Sequence, residues 1–166
     1  MMFPVIAMSA MALLMGFVPP QDHAWRGEPS DETLARYWRV AKAIAEVAEE
    51  APIDGDVDAT VRLLAVTAAS ESALRADVIA CRVAGDGGRV PAWGAFGLAR
   101  RKAMVCGALV DAARVALEML RVSLETCARV PRSERLAFFL SGDPHCQRGA
   151  AQSRYRWSLI QREHQS

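Results

Sequence analysis

Neither a Cys-x-x-Cys pair nor a His-Glu-x-x-His stretch occurs in the chain, which removes the usual frameworks for a zinc site. Histidine is scarce. His23, His145 and His164 all fall in stretches that read as loops or tails, so a Ser/His/Asp arrangement has no support. No internal repeat and no low-complexity segment is present. Lysine is nearly absent, and the Arg residues that replace it are scattered rather than gathered in runs, which argues against a nucleic-acid partner. The first 18 residues carry no charged side chain at all.

What is present describes a folded protein. The chain has 166 residues, 52% apolar and 23% charged, enough for one domain with a real core and too apolar for disorder. The net charge is only +1, but it is unevenly spread: residues 100–166 hold 12 of the 20 basic side chains and 6 of the 19 acidic ones. A basic region of this kind suits an anionic polymer, although a solvated surface is the plainer reading. Four Cys, an even number, suggest two disulfides in an exported chain.

Met1–Val18 is an uncharged apolar run closed by Pro19-Pro20. It resembles the apolar core of a secretory signal, with a poor cleavage site after Ala24 that lacks a small residue three positions before the cut, and an uncleaved N-terminal membrane anchor is the rival reading. The expected division is therefore residues 1–25 as signal or anchor and residues 26–166 as one domain, secreted or periplasmic. Gln21–Pro29 reads as a polar linker. Ser30 then reads as an N-cap, with Asp31 and Glu32 in the first helical turn. Leu34, Tyr37, Trp38, Ala41, Ile44, Ala45 and Ala48 recur at helical spacing up to Pro52, marking an amphipathic helix.

After an Ile53-Asp54-Gly55-Asp56 turn, Asp56 or Asp58 caps a second helix that runs to about Leu74. Its Ala-rich middle allows close neighbours and suits a central helix. Glu71 shares a face with Leu63, Leu64, Thr67, Ala68 and Leu74, so a carboxylate stands inside an apolar stripe. Proteins seldom place a carboxylate there without a partner or a use. An apolar wall disfavours the ionised form and keeps a proton ready to donate, which is the habit of a glycosidase general acid. The plain alternative is a helix-end carboxylate turned to solvent or paired with Arg75.

Asp77 is expected to fix the loop that follows. Arg82-Val83 and Arg89-Val90 flank Asp86-Gly87-Gly88, a tight-turn signal, which predicts a small β-hairpin. Gly94 and Gly97 permit close backbone approach, and Trp93 and Phe96 offer flat faces for sugar rings. Further on, a short helix is expected over Arg101–Gly107, a long one from about Val110 to Ala128 and another over Glu134–Leu140 ended by Gly142. A last helix is expected over about Arg148–Arg162 with Ala151, Tyr155, Ser158 and Leu159 inward. Cys106 and Cys127 flank the long helix, so their Cα atoms lie roughly 30 Å apart, too far for a bond. Two pairings remain; Cys81–Cys106 with Cys127–Cys146 is preferred because each joins neighbouring segments.

The run Ala69-Ser70-Glu71-Ser72-Ala73-Leu74, followed by Gly85-Asp86-Gly87-Gly88-Arg89 and Trp93-Gly94-Ala95-Phe96-Gly97-Leu98, resembles the lysozyme-like lytic transglycosylases of the goose-type lysozyme superfamily. The resemblance covers roughly Asp58–Arg162. It implies a mainly α, α+β fold: a helical domain with a small β-hairpin wing beside a substrate cleft. It implies cleavage of peptidoglycan glycan strands with Glu71 as the single acid and base, without metal or cofactor, by a monomer. Ser72 would steady the sugar or the carboxylate, and Gly94, Gly97 and Leu98 would line the opposite wall with Trp93 and Phe96. Asp86 would be a second carboxylate if the enzyme were a hydrolase. The family commonly has a polar residue after the Leu and a Tyr near the catalytic Glu; here Ala99 and Phe139 stand at those positions. A non-catalytic wall-binding domain is the alternative these two departures favour.

Overall fold

The structure is a computed structural model that describes residues 2–83, 93–98 and 105–162. It divides into two compact units, residues 1–115 and 116–166.

The first unit is built on α1 (Phe3–Phe17), α2 (Gln21–Ala24), α3 (Ser30–Glu50), α4 (Val57–Ser72) and α5 (Ala76–Ile79). Helix α4 is the centre. Thr60, Val61, Leu63–Ala69 and Ser72 are all buried, because its Ala-rich surface lets α1 and α3 pack close. The Asp56 carboxylate accepts from the Ala59 amide at 2.9 Å, which settles which of the two Asp residues caps the helix. The Thr60 hydroxyl accepts from the Ile53 amide at 2.8 Å and donates to the Asp56 carbonyl at 2.7 Å, locking the turn before it. Asp54 and Gly55 both take positive φ in that turn. Helix α3 begins at Ser30 itself, with Pro29 in the cap position and no side-chain cap. It buries Thr33, Arg36, Val40 and Val47 beside the expected Tyr37, Ala41, Ile44, Ala45 and Ala48, while Leu34 and Trp38 are exposed. Two flanking helices widen its buried face and turn it away from Leu34 and Trp38.

Two expectations are corrected here. The chain is all-helical among the described residues: no β-strand occurs, only the isolated bridges Ile53–Asp56 and Trp93–Leu98. The expected lysozyme-like α+β arrangement with a hairpin wing is therefore not found among the described residues. Most of the expected hairpin, including Asp86, lies outside the described residues, as do residues 101–104 of the expected short helix. Its first arm curls back instead of extending. Cys81 takes φ +54°, and the Arg82 and Val83 amides both donate to the Asp77 carbonyl in the first turn of α5, at 2.8 and 3.4 Å.

The second correction concerns the membrane. No helix among the described residues is long and apolar enough to cross one, so the anchoring role expected of an uncleaved N-terminal segment is overturned. Helix α1 has 15 residues, and at about 1.5 Å per residue it falls short of a hydrocarbon core of about 30 Å. One of its faces packs inside the protein, burying Ala7, Ala10, Leu13 and Leu14 against α3 and α4, while Val5 and Met8 are exposed.

The expected polar linker is also structured. His23 in α2 is buried, and its Nε2 lies 2.9 Å from the Tyr37 hydroxyl, which donates to the Val18 carbonyl at 2.9 Å. The hydroxyl has one hydrogen, spent on Val18, so His23 is the donor of the pair. Glu28 stands 3.5 Å from His23 Nδ1 and takes a two-point hydrogen bond from the buried Arg36. Burial, then the Arg36 charge, lower the His23 pKa; Glu28 opposes them. The hydrogen bond from Arg36 lowers that of Glu28. Burial pushes the Tyr37 hydroxyl up to about 12.

In the second unit, α6 (Leu109–Thr126, which begins in the first unit) leads to a 3₁₀ turn at Arg132–Glu134, α7 (Ala137–Ser141) and α8 (Ala150–Arg162). Gly142 takes φ +67° and ends α7 as expected. Helix α8 is rotated from the expected register. Ser153, Arg156 and Ile160 are buried, whereas Tyr155 is 60% exposed. Ser153 sets this register: its hydroxyl accepts from the Leu136 amide and donates to the Ser133 carbonyl. Asp143 holds the loop before α8 by accepting from the backbone amides of His145, Gln147 and Arg148, and those bonds, Arg148 first, lower its pKa. Both disulfides form as preferred, Cys81–Cys106 and Cys127–Cys146, each with Cα atoms 5.8 Å apart.

Two outcomes test this packing. Asp56→Ala should lower stability by about 1 kcal/mol, or a Tm drop of about 2–4 °C in thermal unfolding. Stability should also fall on acidification. A folded chain that excludes a proton from His23 is outcompeted by an unfolded chain that takes it, so stability is complete above about pH 6.5 and declines below it. The depressed Glu28 and Asp143 carboxyls contribute stability that is complete above their ordinary range near 4 and is lost as pH falls through their folded values. Tm measured from pH 8 to pH 3 should show both steps, and His23→Gln should remove the upper one.

Candidate functional site

Helix α4 has to end where its buried face runs out, and the way it ends decides where Glu71 stands. Ala73 takes φ +46° and Leu74 φ +53°, two successive left-handed residues with no glycine between them. Each such residue costs about 1–2 kcal/mol, so the turn has to be held from outside. Three bonds hold it. The Ser72 hydroxyl donates to the Ala68 carbonyl at 2.8 Å and accepts from the Leu74 amide at 3.1 Å. Arg36 Nε, from the buried face of α3, donates to the Leu74 carbonyl at 2.7 Å. Leu74 itself is fully buried. Beyond the turn, Asp77 accepts from both the Arg75 guanidinium and the Val78 amide, which starts α5. The Arg75 hydrogen bond is the main cause of a lowered Asp77 pKa.

Glu71 is thereby fixed in the last turn of α4, half-buried, on the face that carries the buried Leu63, Leu64, Thr67 and Ala68. The segment 93–98 forms its wall. Trp93 and Leu98 exchange backbone hydrogen bonds at 3.2 and 3.0 Å, closing the four residues between them into a tight turn. Gly97, at φ +59°, lies directly on the Glu71 side chain. A Cβ added there would stand 2.6 Å from Glu71 Cβ and 2.8 Å from Cγ, with the carboxylate Oε2 nearer still. No side chain fits, so glycine is required at this position by contact as well as by conformation. Gly94, at φ +73°, backs onto the other side of the loop. A Cβ there would meet the Val105 carbonyl oxygen at 3.0 Å and Cys81 Sγ at 3.8 Å. The Cys81–Cys106 disulfide thus lies under the loop that covers Glu71.

The structure brings together Glu71, Ser72, Gly94, Gly97 and Leu98 of the expected site residues. It gives several of them different work. Ser72 is buried and bonded to its own helix end, so it steadies the turn. Phe96 and Leu98 are 0% and 1% exposed; they are the apolar root of the loop, and Trp93, half-buried, is the ring left at the surface. Phe139 belongs to the second unit, half-buried on α7, with its amide bonded to the Ser123 hydroxyl at 2.9 Å. Asp86 lies outside the described residues. Among the described residues no group of three or more His, Cys, Asp or Glu is placed to hold a metal ion. What the sequence reading missed is Arg36. The signal was there: Thr33, Arg36, Tyr37 and Val40 follow helical spacing, and an Arg on that face demands partners.

Comparison with protein-family models, with curated proteins and with solved structures gives no match to this chain.

The contact between Gly97 and Glu71 is tested by Gly97→Ala. It adds a methyl group where there is no space and a left-handed residue, and should cost about 2 kcal/mol or more, read as a fall in Tm. Gly107→Ala, facing open space, should stay within about 0.5 kcal/mol of the parent.

Proposed function

We propose that this chain is an exported enzyme that cuts the glycan strands of peptidoglycan at the β-1,4 bond between N-acetylmuramic acid and N-acetylglucosamine. One observation carries the reading. Two segments distant in sequence, each resembling an element of the lytic transglycosylases, meet in the fold: the Gly-x-x-Gly-Leu loop lies on the half-buried carboxylate of the Glu-Ser helix end. A half-buried acid with a glycine backbone lying on it is equipment suited to protonating a bound sugar's bridging oxygen. The paired cysteines support an oxidising compartment.

The chemistry needs one carboxyl group. Glu71 gives its proton to the bridging oxygen as the bond from C1 of the muramic acid breaks. The resulting carboxylate then takes the proton of that sugar's 6-hydroxyl, whose oxygen closes on C1. The product carries a 1,6-anhydro ring, no water is consumed, and Glu71 is protonated again. A non-catalytic wall-binding module is the second reading, favoured by Phe139 and Ala99, which lack the polar groups expected at those positions.

Digestion of purified peptidoglycan, with products read by mass spectrometry, separates these. The wild-type chain should release anhydro-muropeptides and Glu71→Gln should lower the rate by at least about 100-fold. Reducing-end products, heavier by one water, would mean a hydrolase with a second carboxylate. Glycan binding by both proteins with no product from either would establish the binding module.

A further inference from the structure

We propose that Arg36 is a positioning residue for Glu71: by holding the Leu74 carbonyl it fixes the left-handed turn that ends α4, and through that turn it sets where the Glu71 carboxylate stands. The inference rests on the reading of Glu71 as the acid.

Arg36 is 4% exposed, and its donors point two ways. Nε donates to the Leu74 carbonyl at 2.7 Å, and both terminal nitrogens reach Glu28, Nη2 to Oε2 at 2.8 Å. A planar guanidinium can serve a carbonyl and a carboxylate at once; a lysine ammonium is a point charge without that fork. Its carbonyl partner belongs to the second of two successive non-glycine residues at positive φ, a conformation that persists only where the surroundings over-determine it. The turn starts two residues after Glu71. On its other side Glu71 is bounded by the Gly97 backbone. The carboxylate is thus set between a loop that touches it and a turn that Arg36 holds. His23, Tyr37 and Glu28 complete the surroundings of the guanidinium, Tyr37 with its ring centroid 5.9 Å from it and His23 through Glu28. The residues of the polar N-terminal stretch therefore act on Glu71 without touching it.

The test uses the full chain with both disulfides formed. It compares wild type, Arg36→Lys, Arg36→Gln, Ala73→Gly and Arg36→Lys combined with Ala73→Gly, with Arg62→Gln as control, since among the described residues the Arg62 guanidinium pairs with Asp58, one turn earlier on α4. Two readouts are taken: kcat and KM on peptidoglycan, and the carbon-13 signal of the Glu71 carboxylate, assigned from its loss in Glu71→Gln. Both Arg36 variants should move or broaden that signal and lower kcat roughly 10- to 100-fold, with KM within about twofold. Ala73→Gly alone, which removes the steric cost of one left-handed residue and none of the bonds, should leave the signal and kcat near wild type. Combined with Arg36→Lys it offsets part of the lost stability, so the double variant keeps the test decisive if the single Arg36 variants do not fold. Arg62→Gln should match wild type. A Glu71 signal at its wild-type position in the folded Arg36 variants, or in Arg36→Lys combined with Ala73→Gly if the single variants do not fold, overturns the proposal. If wild type releases no product, the functional reading fails by itself, and the Glu71 signal still decides whether Arg36 positions the carboxylate.

Discussion

The stopping of a buried helix is the constraint on which the first unit depends. Helix α4 is buried on nearly every side, so its last carbonyls and its outgoing chain have to be satisfied inside the protein. The solution is a left-handed turn without glycine, stitched by the Ser72 hydroxyl from within and by Arg36 from the neighbouring helix. Each of these groups is polar and buried, and each has its partner. An unmatched one would cost more than the bond contributes, so the set stands or falls together.

Much of this was legible in the sequence and some was not, for physical reasons. The central helix with Glu71 on its apolar stripe was readable because the period of the apolar residues is unambiguous from Val61 to Leu74. The length of one helix excluded a Cys106–Cys127 bond, and the nearness of the joined segments chose between the two pairings left. The hairpin was not: a Gly-rich turn signal between short β-formers is local, and local preference yields when the incoming backbone is turned back on Asp77. The register of α8 failed because a serine, not an apolar side chain, sets it. Phe96 was taken for a binding surface by its chemistry, yet an aromatic beside two glycines is also what roots a tight loop in a core.

The N-terminal stretch carries two properties that bear on each other. Its composition is that of an export signal, and its helix fills a space against α3 and α4. Loss of residues 1–24 would take away both partners of the Tyr37 hydroxyl, the Val18 carbonyl and His23, and would uncover the apolar surface on which Ala7, Ala10, Leu13 and Leu14 rest. A buried phenol stripped of both partners is costly, so a shortened chain would have to repack α3 or cover it with something else.

The disulfide beneath the loop at residues 93–98 gives the site a history as well as a shape. Gly94 rests on Cys81 Sγ and on the carbonyl of the residue before Cys106, so the floor of the loop and the covalent bond are the same piece of structure. In a reducing compartment two thiols would stand there with nothing tying one segment to the other. A newly made chain would then carry its carboxylate without the wall that covers it. Closing the disulfide is then the step that gives the Glu71 carboxylate its wall.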